Sequence, residues 1–481
     1  QTMNHPRRYV SVLPLIQISD LDIHRGNRLI ISEMNFELFE GEVVALVGSN
    51  GCGKTTLLES SAGMHAISSG LISWRNEGFE MKLVRDSEGR RGSLPPMGLT
   101  LQKNGMSGEE TIEERLTTVL AVSGCHYDST KVSQLLNYWG LEHRKSDRIS
   151  QLSGGLARRL AVLSGLAPAV MSEKPRAILL DEPSEGLDES ARKLLVDWLR
   201  ALASKGHGVI LATHDPQIML AADRIMKFDE KRGISVKKQK PPLSNFDLPE
   251  PSGNAKISKI SSLFHWAYRM EKRNPIDTIS RFIPSILALL LIHTLINEDE
   301  ISVAGPDFVA AMILLPSFIS VVIPPALISR YAEENCGRWW GAVIGPKFRT
   351  FSSIIGSSII LPLPLIYISW LVITDFGVQK EDLGTISSWL WLPGIVMFSV
   401  AIAASALHLL VSDLRRVGAS AASLLLLVLV WPFLELVDAL VMIINDGMSF
   451  GFSLDEPLSM IFLSFSVSIL VWAISVYLPD S

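Results

Sequence analysis

Gly48-Ser49-Asn50-Gly51-Cys52-Gly53-Lys54-Thr55 follows the apolar run Val43 to Val47 and precedes Thr56 to Ala62, which reads as a helix. The spacing completes GxxxxGK[ST], and a strand before it with a helix after it is the setting that motif requires. The glycines let successive backbone N–H groups turn inward on phosphate oxygens. Lys54 offers a point charge to the outer phosphates, and the Thr55 hydroxyl is a magnesium ligand. The helix start adds a favourable dipole. Residues Gly48 through Thr56 are therefore assigned to phosphate binding, a signal that alone does not separate GTPases, kinases and transport ATPases.

Further along, Ala177-Ile-Leu-Leu180-Asp181-Glu182 is a buried strand ending in two carboxylates. Asp181 is placed to hold Mg²⁺ and Glu182 to polarise an attacking water. Charge neutralisation and water positioning are what lower a phosphoryl-transfer barrier. Between about residues 14 and 236, β-branched runs alternate with helical stretches, an α/β pattern. Residues 1–236 are thus read as a nucleotide-binding P-loop NTPase domain.

From Lys237 to Ser262 the composition turns to Lys, Gln and Pro and then to Pro, Ser, Asn and Gly, which reads as a solvated linker over 237–262. Beyond it the charge thins: 24 of the 203 residues from Ile279 to Ser481 are charged, against 93 of 481 in the whole chain. Six apolar stretches, about 279–296, 308–328, 351–373, 389–411, 419–438 and 458–478, each approach the roughly 20 residues a bilayer demands. The expected fold class is an α/β P-loop domain followed by an all-α polytopic membrane domain of six transmembrane helices over 263–481. Leu263 to Arg281 mixes Phe264, Trp266, Tyr268 and Met270 with cations, as an amphipathic helix on a membrane surface or a buried helix of the soluble domain would.

Segments 329–350 and 412–418 hold Arg330, Arg338, Lys347, Arg349, Arg415 and Arg416, while the opposite loops hold only Lys380. The positive-inside rule puts the N-terminal domain in the cytoplasm of a multi-pass cell-membrane protein. A net charge of -5 gives no basic surface of the kind nucleic acids require, so no nucleic-acid partner is expected. Cys52, Cys125 and Cys336 are too few and too scattered for a disulfide framework or a zinc site. No cleavable signal pattern opens the chain, which starts with Gln1 before Met3, so insertion is expected to rely on the internal spans.

Leu152-Ser153-Gly154-Gly155, with the basic helix Leu156 to Leu166 after it, resembles the signature of ATP-binding-cassette (ABC) proteins. That resemblance implies ATP and Mg²⁺ as the ligands and places further elements one at a time. Gln102, ending Leu99-Thr-Leu-Gln102, looks like the Q-loop residue that senses the γ-phosphate, and it joins Thr55 and Asp181 at the metal. Asp188 closes a segment from Ser184 that resembles the D-loop, and His214, ending the apolar run Val209 to Thr213, resembles the switch histidine that contacts the γ-phosphate. Where the family usually stacks an aromatic on adenine, this sequence has Arg25 beside His24, and either can stack. In this family the signature of one cassette closes on the phosphate loop of another. One cassette per chain therefore implies a homodimer or a second ABC half-transporter, with Ser153, Gly154 and Gly155 completing the nucleotide cradle.

Glu334-Asn-Cys-Gly337, with Pro346 after it, is similar to the segment of type-2 ABC exporters that carries a helix docking on the cassette near the Q-loop. Arg338, Trp339 and Trp340 are assigned to that docking surface, with interfacial anchoring as the other reading. A further likeness is to the heme-exporter permease of cytochrome c maturation, here fused to its cassette. It rests on Gly48 to Gly51, on six spans with short outer loops, on Leu414-Arg415-Arg416-Val-Gly and on Pro432. The function it implies is an ATP-hydrolysing exporter in a lipid bilayer, with heme-handling membrane proteins as partners. The alternatives kept are a type-2 exporter of lipids or drugs, and an ATP-driven remodeller that releases a heme chaperone without moving a solute. Glu435 and Asp438 are read as lying toward the outer end of span five, at the interface or on a polar path.

Overall fold

The structure, a computed structural model, describes residues 13–229, 233–242, 246–253, 255, 258–295, 305–358, 362–375, 386–413, 427–451, 453 and 455–477. Lys380 and Leu414 to Gly418, used above for orientation and likeness, lie outside them. Two compact units result. The first holds the described residues up to Trp266 together with Glu333–Pro346, and the second holds Ala267–Ala332 and the described residues from Lys347 onward.

In the first unit, strands β1 (Ile16–Arg25), β2 (Arg28–Leu38), β4 (Ser69–Arg75) and β5 (Met81–Asp86) form an antiparallel sheet ordered β2-β1-β4-β5. A six-stranded sheet runs β10 (Gly233–Lys238), β9 (Arg224–Asp229), β3 (Val43–Gly48), β8 (Gly208–Ala212), β7 (Ala177–Asp181) and β6 (Gly98–Thr100). It is parallel except for the β10 edge. Strands β7 and β8 are buried along their whole length, which is why they read as unbroken apolar runs. Helices α1 (Lys54–Ser61), α2 (Ile112–Val122), α3 (Ser129–Tyr138), α4 (Gly154–Val170), α5 (Glu189–Ser204) and α6 (Pro216–Leu220) accompany them. Leu160 and Leu163 of α4 and Trp198 and Leu199 of α5 belong to one buried cluster with Ile178 and Leu180 of β7. Because β3, β7 and β8 run parallel, their C-terminal ends share one edge, the place where open α/β sheets bind ligands.

Within 237–262, expected as a solvated linker, some of the described residues pack on this unit while others, such as Lys238 and Asp247, are exposed. Gln239 Nε2 donates to the carbonyls of Met219 and Ala222 at 2.6 and 2.7 Å. Leu248 is buried in the core, and Phe246 lies edge-on to Tyr138. Helix α7 (Lys259–Arg273) follows and stops at Asn274, where Pro275 opens α8 (Pro275–Ser280). Leu263, Trp266, Ala267 and Met270 are buried on one face of α7, at the i, i+3, i+4, i+7 spacing, while Phe264 and Tyr268 are exposed.

The segment Glu333–Pro346 is built into the first unit. Glu334 and Asn335 adopt left-handed backbone (φ 44° and 61°) before the helix Cys336–Ile344. The Glu333 carboxylate accepts from the Ser107 hydroxyl (2.7 Å) and the Gly108 N–H (3.0 Å), and the Gly105 N–H donates to the Glu334 carbonyl (2.8 Å). The Arg115 guanidinium, 1% exposed, lies 4.0 Å over the Trp339 ring, and Trp340 packs on Trp266 at 5.4 Å. Burial pushes the Cys336 thiol well up. Of the residues singled out for docking, Trp339 and Trp340 are buried within the first unit and Arg338 is half-buried there.

In the second unit, four helices are long and apolar enough to cross a membrane by length and composition, among the described residues: one beginning at Pro306, Trp391–Ser412, Leu427–Asp446 and Pro457–Tyr477. Of the six spans expected, 279–296 is described as the 13-residue helix Ile283–Leu295, and 351–373 as the separate helices Phe348–Ser358 and Pro362–Asp375. Phe318 and Phe433 stack at 4.3 Å within the core of this unit. Hydroxyl to carbonyl bonds cross between helices, as from Ser285 to Pro316 and from Ser464 to Pro432, both 2.6 Å. Only 28% of the most apolar window of Pro457–Tyr477 is buried, and Phe462, Leu470 and Ile474 are exposed, a surface that water does not tolerate and lipid does. Glu435 and Asp438 lie on the described helix Val430–Asp446, which continues past the expected end of span five at 438.

His207, 2% exposed between α5 and β8, accepts the Arg176 N–H at Nδ1 (3.1 Å). Burial, with Arg176 and Lys205 nearby, lowers its imidazole to about 4. Between that value and its ordinary 6.5 the unfolded chain binds a proton that the folded chain does not. This contribution to stability is complete above pH 6.5 and declines as pH falls toward 4, by up to about 1.4 kcal/mol per pH unit. Thermal unfolding of the purified chain from pH 7 to 5 is expected to show a shallower decline in His207→Gln than in the wild type.

Candidate functional site

The phosphate loop leaves β3 at Gly48 and closes on α1. Gly48 has φ +152°, and a Cβ there would meet the Phe228 carbonyl oxygen at 2.7 Å, so only glycine fits. Gly53 (φ +110°) caps α1, whose first helical bond runs from the Leu57 N–H to the Gly53 carbonyl. The N–H groups of Lys54, Thr55 and Thr56 are thereby left without helical acceptors. Ser49, Asn50 and Gly51 are exposed, Cys52 is half-buried and Thr56 is buried. Lys54, 7% exposed, donates from Nζ to the carbonyls of Gly48 (2.8 Å) and Ser49 (3.1 Å), and His214 Nε2 lies 3.1 Å from the same nitrogen.

The carboxylates arrive from β7. Thr55 Oγ1 donates to Asp181 Oδ1 at 3.2 Å. Asp181 is 4% exposed, and burial raises its carboxyl to about 6, with the Thr55 bond opposing that rise and the Glu59 and Glu182 charges adding to it. A desolvated carboxylate short of positive charge, beside a hydroxyl oxygen, is a donor set of the hard-oxygen kind that suits Mg²⁺, which keeps its other positions for water and phosphate. Glu182 takes left-handed backbone (φ 44°), a conformation that side chains resist and that fixes where its carboxylate points. One carboxylate oxygen accepts the His214 N–H at 3.3 Å, and the other lies 3.4 Å from His214 Nε2. Lys54, Thr55, Asp181, Glu182 and His214 are thus brought to one edge of the sheet.

Among the described residues no hydrogen bond or ion pair joins Ser153, Gly154, Gly155, Asp188 or the Gln102 side chain to them. Ser153, exposed, is the N-cap of α4, its hydroxyl accepting the Leu156 N–H at 3.4 Å, and Gly154 and Gly155 begin that helix. Asp188 caps α5 through the Ala191 N–H (2.9 Å) and pairs with Arg159. The Gln102 side chain is exposed. Arg25 and His24 are also engaged elsewhere, Arg25 with His65 and His24 with Ser68.

Arg158 was hidden in the sequence inside the basic helix after the signature. It is 5% exposed. Its Nη1 donates to the carbonyls of Leu101 (2.9 Å) and Gln102 (3.1 Å), and its Nη2 to those of Asp181 and Glu182, both 2.7 Å. One side chain therefore pins α4, the residues after β6 and the acidic end of β7 together.

A profile described as ABC transporter matches residues 31–185. Nod factor export ATP-binding protein I of Burkholderia orbicola is 30% identical over 229 residues, 47% of this chain and 71% of that protein. The chain belongs to the ABC transporter family. Proteins of the same name in Rhizobium etli and Burkholderia lata are 31% identical over 201 residues and 30% identical over 223. These cover 41% and 46% of this chain and 60% and 69% of those proteins. Two solved structures are similar. The ATP-binding subunit of an ABC transporter is 22% identical, covering 47% of this chain and 90% of its own with a TM-score of 0.37. A dimeric ATP-binding cassette in a post-hydrolysis state with ADP and Pi is 21% identical, covering 47% of this chain and 100% of its own with a TM-score of 0.39.

Within this ABC cassette, Arg158 gives a direct test of the clamp. Arg158→Met strands several buried carbonyls, each costing about 1–3 kcal/mol if left unpaired. A fall in the unfolding temperature of several degrees is expected by scanning calorimetry, with Arg158→Lys in between. Equal unfolding temperatures for Arg158→Met and wild type would remove the clamp from the fold's support.

Proposed function

We propose that this chain is an ATP-hydrolysing half-transporter of the exporter type that works as a dimer, with its cassette in the cytoplasm and its second unit in the cell membrane. The observation that carries this reading is an asymmetry. Lys54, Thr55, Asp181, Glu182 and His214 converge, while at the start of α4 Ser153 and Gly154 stand exposed and Gly155 half-buried, with no hydrogen bond or ion pair to them among the described residues. A second cassette, presenting its own signature, completes such a half-site.

The Gly48–Thr56 loop would hold the phosphates of ATP, with Lys54 turning from the Gly48 and Ser49 carbonyls to the outer phosphates. Thr55, Asp181 and Gln102 would hold Mg²⁺, which supplies neutralising charge to the phosphate oxygens. Glu182 would orient the attacking water and take its proton, and His214, already against both Glu182 and Lys54, would keep that carboxylate in line. The Asp188 segment would sit at the seam between cassettes. Because ligands shift an equilibrium only through differential affinity, closure of two cassettes must be favoured by γ-phosphate contacts that are lost on hydrolysis.

The relatives are named for export, and the exposed apolar helices of the second unit point to a bilayer, so we take the direction as outward and the cargo as amphipathic or lipid-like. A heme cargo with heme-handling partners is the narrower reading. It draws no support from relatives named for Nod factor export, and one of its cues, Leu414 to Gly418, lies outside the described residues.

Glu182→Gln is expected to keep ATP affinity, lower turnover by roughly 10²-fold or more, and accumulate a dimer in MgATP by size exclusion with light scattering. Lys54→Ala is expected to lose binding of the nucleotide. Undiminished hydrolysis in Glu182→Gln sinks the assigned role, and full turnover by a strict monomer sinks the dimer. ATP-dependent uptake of a labelled lipid or of heme into inverted vesicles separates export from mechanical release of a membrane partner.

A further inference from the structure

Glu59 lies on α1 four residues beyond Thr55, on the same helical face and about 6 Å further along the axis. Its side chain is 9% exposed, and Arg338 grips the carboxylate with both terminal nitrogens, at 2.9 and 3.2 Å. His65 Nε2 is 2.5 Å away. Arg25 Nη2, from the end of β1, lies 3.8 Å from the carboxylate and 3.4 Å from His65 Nε2. Burial pushes the Glu59 carboxyl up, but the bonds from His65 and Arg338 outweigh it, and the group stays below its usual range and charged. The same charge is felt by Asp181. Two carboxylates therefore flank one turn of the phosphate-loop helix, and a bound nucleotide would bring further negative charge to the same place.

We propose that Arg338 is a positioning residue for the nucleotide site: by neutralising Glu59 it makes nucleotide affinity depend on the docking of Glu333–Pro346 against α1. This rests on the nucleotide site proposed above. The coupling is reciprocal, so whatever factor docking adds to nucleotide affinity, nucleotide adds to docking. The segment continues at both ends into residues of the second unit, Ala332 and Lys347, and is one of the stretches of chain, with α7, that join the two units covalently. Arg115 over Trp339 and Glu333 on Ser107 anchor the segment independently, so loss of the Arg338 charge leaves its fold in place.

The test is a charge cycle in the full chain, in a Glu182→Gln background that holds turnover low, with a fluorescent ATP analogue and Mg²⁺ as the probe. Arg338→Ala is expected to weaken binding several-fold, below the roughly tenfold scale of one wholly uncompensated charge about 10 Å away at an effective dielectric near 20, because Arg25 and His65 stay beside Glu59. Arg338→Lys is expected to stay near the parent, and Glu59→Gln added to Arg338→Ala to recover most of the loss. Hydrogen exchange of the peptide spanning 333–346 is expected to slow on nucleotide binding in the parent and not in Arg338→Ala. Parent-like affinity in Arg338→Ala, or losses that simply add in the double variant, overturn the proposal. Absence of binding in every variant, parent included, would instead overturn the nucleotide site itself.

Discussion

A guanidinium sealed beneath the ends of two strands organises the nucleotide half of this chain. Arg158 is desolvated, and the oxygens it holds are neutral: four backbone carbonyls and, at 3.4 Å, the Asn104 amide. The carboxylates of Glu185, Asp181 and Glu182 act on it only through space, so its geometry is set by the backbone it binds. The helix that starts with the signature glycines, the Gln102 segment and the Asp181-Glu182 pair therefore share one anchor. Displacement of any of them strains the same five acceptors.

Much of this site was legible because its logic is local. A glycine-rich turn between a strand and a helix, and an apolar strand ending in two acids, each carry their meaning within ten residues. The parallel sheet then brings them together without further instruction, since strands of one direction end on one edge. What was not legible depends on pairing across long separations. The bond between Arg338 and Glu59 joins residues 279 apart, and that between Glu333 and Ser107 joins residues 226 apart. No periodicity records such a partner. Arg158 was invisible for a different reason: a basic residue in an amphipathic helix reads as solvated until the helix is known to turn that face inward.

The second half was legible through its solvent. Scarcity of charge and the lengths of the apolar stretches announced lipid, and four long helices answer to that among the described residues. Exact bounds were less readable, because hydropathy falls off gradually while a helix ends where its backbone bonds end. The helix bearing Glu435 and Asp438 shows the difference. Hydropathy ends this span at Asp438, whereas the hydrogen-bonded helix runs on to Asp446, with Glu435 half-buried and Asp438 exposed.

Composition places the border between the two halves at a single linker, but the packing does not. Glu333–Pro346 is covalently part of one half and physically part of the other, filling a cleft lined by Arg115, Ser107 and Trp266. Severing the chain after the cassette would leave that cleft open, with a guanidinium and a carboxylate, Arg115 and Glu110, stripped of the aromatic roof that excludes water. Without that segment the first unit is an unfinished fold, and the missing piece is supplied from more than sixty residues downstream of Trp266, beyond the first helices of the second unit.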